Sequence, residues 1–302
     1  MEDDLGDRMK LYEGMEAGRR LMPRLPCVAR IDGRSFSTFA RDLAKPYDPR
    51  LSRLMIETAR HLVRESNARI GYTQSDEITL VLYTDNLKEQ LWFDRRVQKM
   101  TSQLAAQATA AFNHLLPEYL PEKFARRSLV SLPTFDARVW SVPTLAEAAN
   151  VLLWREQDAT RNSIESAARA QYSHHALMNR NTREMRAMLR DKGVNWDDYP
   201  ALFKRGTYIQ RRVTERRFST DELEALPPKH AARTNPDLMV ERTDYIELAM
   251  PPFGRVQNRE AVVFFGEDPV TLDDATAATE DTTRGGAATP VRVPPLTDPT
   301  SD

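Results

Sequence analysis

Apolar and polar positions fall into blocks whose periods change along the chain. Pro26-Cys-Val-Ala-Arg-Ile-Asp32 is a short apolar run closed by Gly33. Leu51, Leu54, Met55, Thr58 and Leu62 then recur at helical spacing. Residues 69–74 and 77–83 are rich in β-branched and aromatic side chains and are split by Gln74-Ser75-Asp76-Glu77. Leu91, Val97, Met100, Leu104, Ala108 and Ala111 return to a helical period before Phe135-Asp-Ala-Arg-Val-Trp140. These periods predict a strand over 26–32, a helix over about 48–66, strands over 69–74 and 77–83, a helix over about 87–116 and a strand over about 134–140. The order is βαββαβ, which makes the fold class α+β with a ferredoxin-like core.

In that topology the first and third strands lie side by side and antiparallel, so Asp32 at the end of one meets Asp76 at the start of the other. Taken singly, Asp-Gly after a strand and Ser-Asp-Glu between strands are ordinary turn signals. Taken together they place two carboxylates in contact. Such a pair repels and raises its own pKa values unless a cation lies between, which points to a divalent metal. Glu77 is a third carboxylate beside them.

The rest of the chain adds cations and a second candidate surface. Leu5, Met9, Tyr12 and Met15 predict a short amphipathic helix over 4–20 that serves packing. Lys45-Pro-Tyr-Asp-Pro49 breaks the chain before the second element. Arg95, Arg96 and Lys99 fall on the polar side of the predicted long helix, and Arg138 lies beside the sheet. After Pro143, Thr144-Leu-Ala-Glu147 reads as a capping box. In the helix that follows, Arg155, Asp158, Arg161, Asn162 and Glu165 share one face, and Trp154 inside this polar stretch is expected to pack on something. Arg180, Arg183, Arg186, Arg190, Lys204, Arg205, Arg211, Arg212, Arg216 and Arg217, interleaved with Tyr172, Trp196 and Tyr208, suit phosphate contact and base stacking as well as a plain solvated surface. Ala261-Val-Val-Phe-Phe265 reads as a closing strand.

Composition narrows the classes. The 302 residues are 41% hydrophobic, enough for one large core or two modest ones. No run approaches a membrane span, and the start Met-Glu-Asp-Asp does not resemble a signal peptide, so a cytoplasmic protein is expected. The single cysteine, Cys27, excludes an internal disulfide, and the five histidines lack zinc-ligand spacing, which leaves oxygen ligands for any metal. Net charge is -1, yet residues 267–302 carry eight acidic and two basic side chains, leaving about +5 on residues 1–266. From 271 onward the chain is mostly Thr, Ala, Pro, Gly and Asp and is expected to be disordered. The organisation read from these shifts is a catalytic core over 1–140, a helical and β extension over 141–266, and a tail over 267–302. There is no glycine-rich loop of the nucleoside triphosphatase kind.

Leu5-Gly-Asp-Arg-Met-Lys10, Arg30-Ile-Asp-Gly-Arg34, Lys45-Pro-Tyr-Asp-Pro49, Tyr72-Thr-Gln-Ser-Asp-Glu77, Phe135-Asp-Ala-Arg138, Trp154-Arg155, Gln157-Asp-Ala-Thr-Arg-Asn-Ser163 and Lys204-Arg-Gly206 are similar, in order, to segments of the tRNA-His guanylyltransferase family. The chain most resembles that family's bacterial and archaeal-type relatives, which act as 3′-to-5′ RNA polymerases. The resemblance implies a polymerase-like palm holding two Mg2+ ions, with Asp32, the Gly33 carbonyl and Asp76 as ligands and Glu77 in support. It implies ATP and GTP as substrates, bound by Asp32, Gly33, Arg34, Ser35, Phe36, Ser37, Lys45, Ser75 and Asp76. It also implies tRNA as the partner and a homotetramer, with Arg138, Arg155, Arg161, Asn162, Lys204, Arg205, Arg211 and Arg212 as candidates for contacts to tRNA or triphosphate. Ser37 and Thr160 stand where histidines occur in relatives. The second departure favours repair of shortened 5′ ends over the strict addition of one guanosine. Two other readings use the same residues: a nucleotide cyclase-like palm enzyme, and a catalytically silent RNA-binding protein.

Overall fold

The computed structural model describes residues 4–272 except 87, 127, 129–131 and 236. In chain order the elements are α1 (Leu5–Ala17), β1 (Cys27–Arg34), α2 (Phe36–Phe39), α3 (Pro49–Ser66), β2 (Ile70–Gln74), β3 (Glu77–Leu82), α4 (Val97–Tyr119), α5 (Pro121–Ala125), β4 (Thr134–Ser141), α6 (Leu145–Gln171), α7 (His174–Leu177), α8 (Thr182–Asp191), α9 (Ala201–Arg205), β5 (Thr207–Arg217), α10 (Thr220–Ala225), α11 (Ala231–Thr234), β6 (Met239–Leu248) and α12 (Arg259–Phe264). The six strands form one sheet in the order β4-β1-β3-β2-β5-β6, with every neighbouring pair antiparallel. The expected βαββαβ core is its first four strands.

Alternation along each strand decides which helix layer it faces. Cys27, Ala29 and Ile31 of β1 and Ile78, Leu80 and Leu82 of β3 pack with Leu54, Leu62, Leu104 and Phe112 of α3 and α4. Val28, Tyr72, Val81 and Tyr208 point the other way, onto Ala148 and Leu152 of α6 and Val262 of α12. A third cluster joins Ile164, Ala167 and Ala168 of α6 to Met185, Leu189, Trp196 and Phe203. The chain beyond residue 141 is therefore built onto the same sheet, through β5 and β6 at its edge and α6 across its face.

Local chemistry explains the element ends. Asp48 caps α3, its carboxylate accepting the Arg50 amide at 3.0 Å, and Pro49 occupies the first turn, where no amide is needed. The Thr144 hydroxyl accepts the Glu147 amide at 3.1 Å, but the Glu147 carboxylate turns to Asn150 Nδ2 at 2.9 Å, so the predicted capping box is half made.

Four expectations need correction. The long helix starts at Val97, because Phe93, Asp94 and Arg95 hold φ of 48°, 53° and 59°, which no α-helix contains. Arg95 and Arg96 thus lie outside it, Asp94 pairing with Arg20. The N-terminal helix forms but buries no side chain: Leu5, Leu11 and Met15 remain 62%, 61% and 78% exposed. Residues 261–265 belong to α12 and the residue after it, not to a strand; the closing strand is β6, which the apolar pattern did not reveal. Residues 267–272 are tied to the body. The Gln257 amide donates to the Val270 carbonyl at 2.9 Å, Arg212 Nη2 meets Asp268 Oδ1 at 2.7 Å, and Thr271 bridges to Val256. The expected disorder concerns residues that, from 273 on, lie outside the described ones. Among the described residues no helix is long and apolar enough to cross a membrane.

Candidate active site

β2 and β3 are joined by the two residues Ser75 and Asp76, with Gln74 opposite Glu77. Ser75 takes φ 56°, the left-handed conformation that lets a two-residue turn follow the twist of its strands. Antiparallel pairing sets Asp32 opposite Glu77, and the Gly33 amide donates to the Asp76 carbonyl at 3.0 Å. The two predicted carboxylates therefore meet across β1 and the hairpin tip. Gly33 is required by close approach: a Cβ there would stand 2.3 Å from the Phe36 ring. That ring is locked among Phe39, Phe112 and Phe135 at centroid distances of 5.4, 5.3 and 5.2 Å, so Gly33–Ser37 is a fixed turn. Arg34, Ser35 and Ser37 on it are exposed.

The alternation that buries Ile31 turns Asp32 to the α6 side, with Glu77 of β3 and with Asp136 and Arg138 of β4. Arg155 of α6 reaches down to this face. Its Nη2 donates to Glu77 Oε2 at 2.9 Å, its Nε lies 2.6 Å from Glu77 Oε1, and its Nη2 is 3.1 Å from Asp158 Oδ2. Burial pushes the Glu77 carboxyl up, and the Arg155 guanidinium works against that shift. Burial also raises Asp76, further raised by Asp32 and held down by the Ser75 hydroxyl, which donates to Asp76 Oδ1 at 3.0 Å. Among the described residues Asp76 has no ion-pair partner, and Asp32 has only the half-exposed Arg138 at 3.9 Å. Of the three carboxylates, only Glu77 is held by a cation at hydrogen-bond distance among the described residues.

A hard divalent cation fits that imbalance. The donors at hand are two carboxylates and the carbonyl of Gly33, all oxygen, a set that suits magnesium when substrate phosphates and water complete its shell. Among the described residues no group of three or more His, Cys, Asp or Glu side chains is arranged as a closed metal site. Beside the hairpin tip a cavity of about 250 Å³ is lined by Ala44, Lys45, Asp48, Ser75, Asn162 and Ser166, among others. The loop over it is held by Ser166 Oγ, which donates to the Pro46 carbonyl at 2.9 Å, and by Tyr47 stacked on Phe203 at 4.6 Å. Lys45 Nζ donates to the Ala40 carbonyl at 3.0 Å.

This fold also occurs in known proteins. The model of a family described as tRNAHis guanylyltransferase matches residues 6–143. A bacterial tRNA(His) guanylyltransferase-like protein, solved in complex with ATP, is 38% identical, with a TM-score of 0.63 over 68% of this chain and 88% of that one. The chain belongs to the tRNAHis guanylyltransferase family. A bacterial guanylyltransferase-like protein solved in complex with GTP is 32% identical, with a TM-score of 0.64 over 86% of this chain and 97% of that one. The tRNA(His) guanylyltransferase of Debaryomyces hansenii is 25% identical over 71% of this chain and 84% of its own length. The chain is thus a member of a nucleotidyltransferase family with the palm-like fold of those relatives.

Against the guanylyltransferase fold, the other candidate residues divide. Asp32, Gly33, Ser75, Asp76, Glu77, Arg138 and Arg155 converge, and Lys45 and Asn162 line the adjoining cavity. Arg161 pairs with Asp158 on the outer side of α6. Lys204 Nζ donates to the Asp197 carbonyl and lies 5.5 Å over Trp196, and Arg205 Nη2 reaches the Met250 carbonyl at 3.5 Å. Arg211 and Arg212 follow Gln210, which pairs with Ile70 at the end of β2 away from the hairpin tip. They are about 13 and 17 Å further along the strand than Thr207. Arg212 is occupied by Gln210 Oε1 and Asp268, each at 2.7 Å. Tyr208 and Trp196 are buried and do not present faces for a base, while Trp154 is half-exposed, its ring 4.6 Å from the Arg155 guanidinium.

One carboxylate escaped the sequence reading. Glu156 is buried, accepting from Tyr208 Oη at 3.0 Å and from the Phe253 amide at 2.7 Å, and burial raises its pKa. It ties α6 to β5 and to the turn before α12. Its neighbours in sequence are polar, and only the helical phase that buries Leu152, Ala159 and Ser163 marks the inward side.

Proposed function

We propose that the protein adds nucleotides to the 5′ end of tRNA in the 3′-to-5′ direction, in a magnesium-dependent reaction using ATP and GTP. The observation that supports this reading is the asymmetry at the hairpin: Glu77 has Arg155 at 2.6 Å, while among the described residues Asp76 has no ion-pair partner and the neighbouring Asp32 has only Arg138 at 3.9 Å. Asp32, the Gly33 carbonyl and Asp76 would hold two magnesium ions. When bound, the ions would lower the pKa of the attacking hydroxyl and steady the leaving oxygen.

In the first step an oxygen of the 5′-monophosphate attacks the α-phosphate of ATP or GTP, forming a phosphoanhydride and releasing pyrophosphate. In the second, the 3′-hydroxyl of an incoming nucleoside triphosphate attacks the activated 5′ phosphate and releases the nucleoside monophosphate. Within the turn pinned by Phe36, residues Ser35–Ser37 offer backbone amides to a triphosphate, since the first amides of a helix such as α2 lack intrahelical partners. The Ser75 hydroxyl stands at the same place, and the cavity by Lys45 and Asn162 has room for a base. Arg155 occupies Glu77 in an ion pair, so Glu77 would support the metal ligands rather than join them. Arg138 would take up negative charge at the open side.

Thr160 spends its hydroxyl on the Glu156 carbonyl at 2.9 Å, so no imidazole faces the RNA there, which fits templated repair of shortened ends. The exposed apolar side chains of α1 suit contact between copies, in keeping with a homotetramer that divides nucleotide and tRNA between subunits. The test is transfer of label from α-labelled ATP to a 5′-monophosphate tRNA. Transfer that needs the 5′ phosphate and disappears with a chelator is expected, and transfer to a tRNA with a 5′-hydroxyl would refute the chemistry.

A further inference from the structure

We propose that Arg183, Arg186 and Arg190 of α8 form a cradle for backbone phosphates of the bound RNA, apart from the reacting end. This rests on the tRNA reading above and adds a contact that none of the converging residues supplies. The three arginines recur at spacings of three and four, so they share one flank of α8 while Met185 and Leu189 turn inward to α6. With Ile164 and Thr182 they line a concavity of about 330 Å³ that has no carboxylate in its wall. Arg186 is held in place, its guanidinium 4.9 Å from the Trp196 ring and paired with Asp197. Arg183 and Arg190 are exposed, and among the described residues neither guanidinium has an ion-pair or hydrogen-bond partner. The nearby Glu184 is taken up by the Asn181 amide and Arg180.

The position suits an extended polyanion. Ile164 follows Ser163, which lines the cavity at the hairpin and accepts from Trp196 Nε1 at 3.2 Å. Cradle and cavity therefore flank one turn of α6. From Arg155 to Ile164 the axial distance is about 13 Å, roughly four nucleotide steps. Guanidinium groups pair with phosphate oxygens in a planar fork, and two unpaired ones about 10 Å apart along α8 in one concavity suit phosphates of a single strand.

The experiment compares wild type, R183A/R190A and R183K/R190K in tRNA titrations at several salt concentrations, with ATP binding and melting temperature measured alongside. Losing two phosphate contacts should lower the salt slope by about 1 per contact and weaken tRNA binding about tenfold at low salt. ATP binding and melting should not change, and the lysine variant should retain the slope. An unmoved slope and affinity in R183A/R190A overturns the cradle, as does a matching loss of ATP binding, which would assign it to free nucleotide. Extension of the same RNA by wild type, run in parallel, separates the two claims. An active wild type with an unmoved variant refutes the cradle alone, whereas a wild type that binds tRNA with no salt response refutes the cradle and the RNA reading together.

Discussion

Arg155→Met isolates the ion pair that sets Glu77 apart. Arg155 and Glu77 side chains are only 10% and 18% exposed, so removing the guanidinium while keeping its stem leaves a largely buried carboxylate without its cation. Breaking a buried pair from one side costs about 3 to 5 kcal/mol, and the residual access of water to Glu77 puts this case near the lower end, about 3 kcal/mol. Asp158 contributes little to the loss, because Arg161 still pairs with it. For a chain of this size that corresponds to a fall in Tm of roughly 6 to 10 °C. The assay is urea unfolding followed by circular dichroism, run on R155M, E77Q and R155M/E77Q. The double variant removes both charges and should recover most of the stability, because the cost lies in the orphaned carboxylate. A single variant within about 0.5 kcal/mol of wild type, or a double variant as unstable as R155M, would refute the pairing argument.

Four other outcomes follow. D32N and D76N should each abolish nucleotide addition while melting no lower than wild type, because neither carboxylate anchors the fold; extension by either at a rate near wild type counts against the metal assignment. E156Q can still accept from the Phe253 amide and, with its own amide donating to Tyr208 Oη, reverses the second bond while removing the charge, as the protonated carboxyl also does. Because burial raises the folded pKa of Glu156, its contribution to stability is complete below the unfolded carboxylate pKa and is lost as pH rises through the folded value. E156Q should therefore match wild type in acid and melt higher than it at neutral pH, and a lower Tm at neutral pH would show that the charge itself is needed. Cys27 is 1% exposed and burial pushes its thiol up to about 12, so it should resist thiol reagents at pH 8 until the chain unfolds; rapid labelling of the native protein would contradict that burial. Ending the chain after Leu272 should leave Tm within about 2 °C, whereas ending it after Gly266 removes the Asp268 and Val270 ties and should lower Tm measurably.

The core strands were legible because their alternation is backed by burial on both faces, and the polar knot at 74–77 could only be a hairpin tip between them. From the antiparallel neighbours in that topology, the meeting of Asp32 and Asp76 followed. Other features carried no local signal. β6 buries only Leu248 of its ten residues, so Met239–Leu248 has no apolar alternation to read. Ala261–Phe265 is five apolar residues long, and such a run satisfies a buried strand and a buried helix equally. Phe93–Arg95 broke the long helix through left-handed backbone at residues that usually avoid it. The roles of Arg155 and Arg212 depend on partners 78 and 56 residues away, so their sequence neighbourhood made them look like free phosphate ligands.

The central claim is tested most directly with a 5′-monophosphate tRNA that lacks its first nucleotide and carries a label at its 3′ end. It is incubated with the protein, magnesium, ATP and GTP and resolved at single-nucleotide resolution. The expected product is longer by at least one nucleotide, with the added nucleotide located at the 5′ end by sequencing and with none formed by D76N. No extension, or nucleotides added at the 3′ end, would contradict the claim.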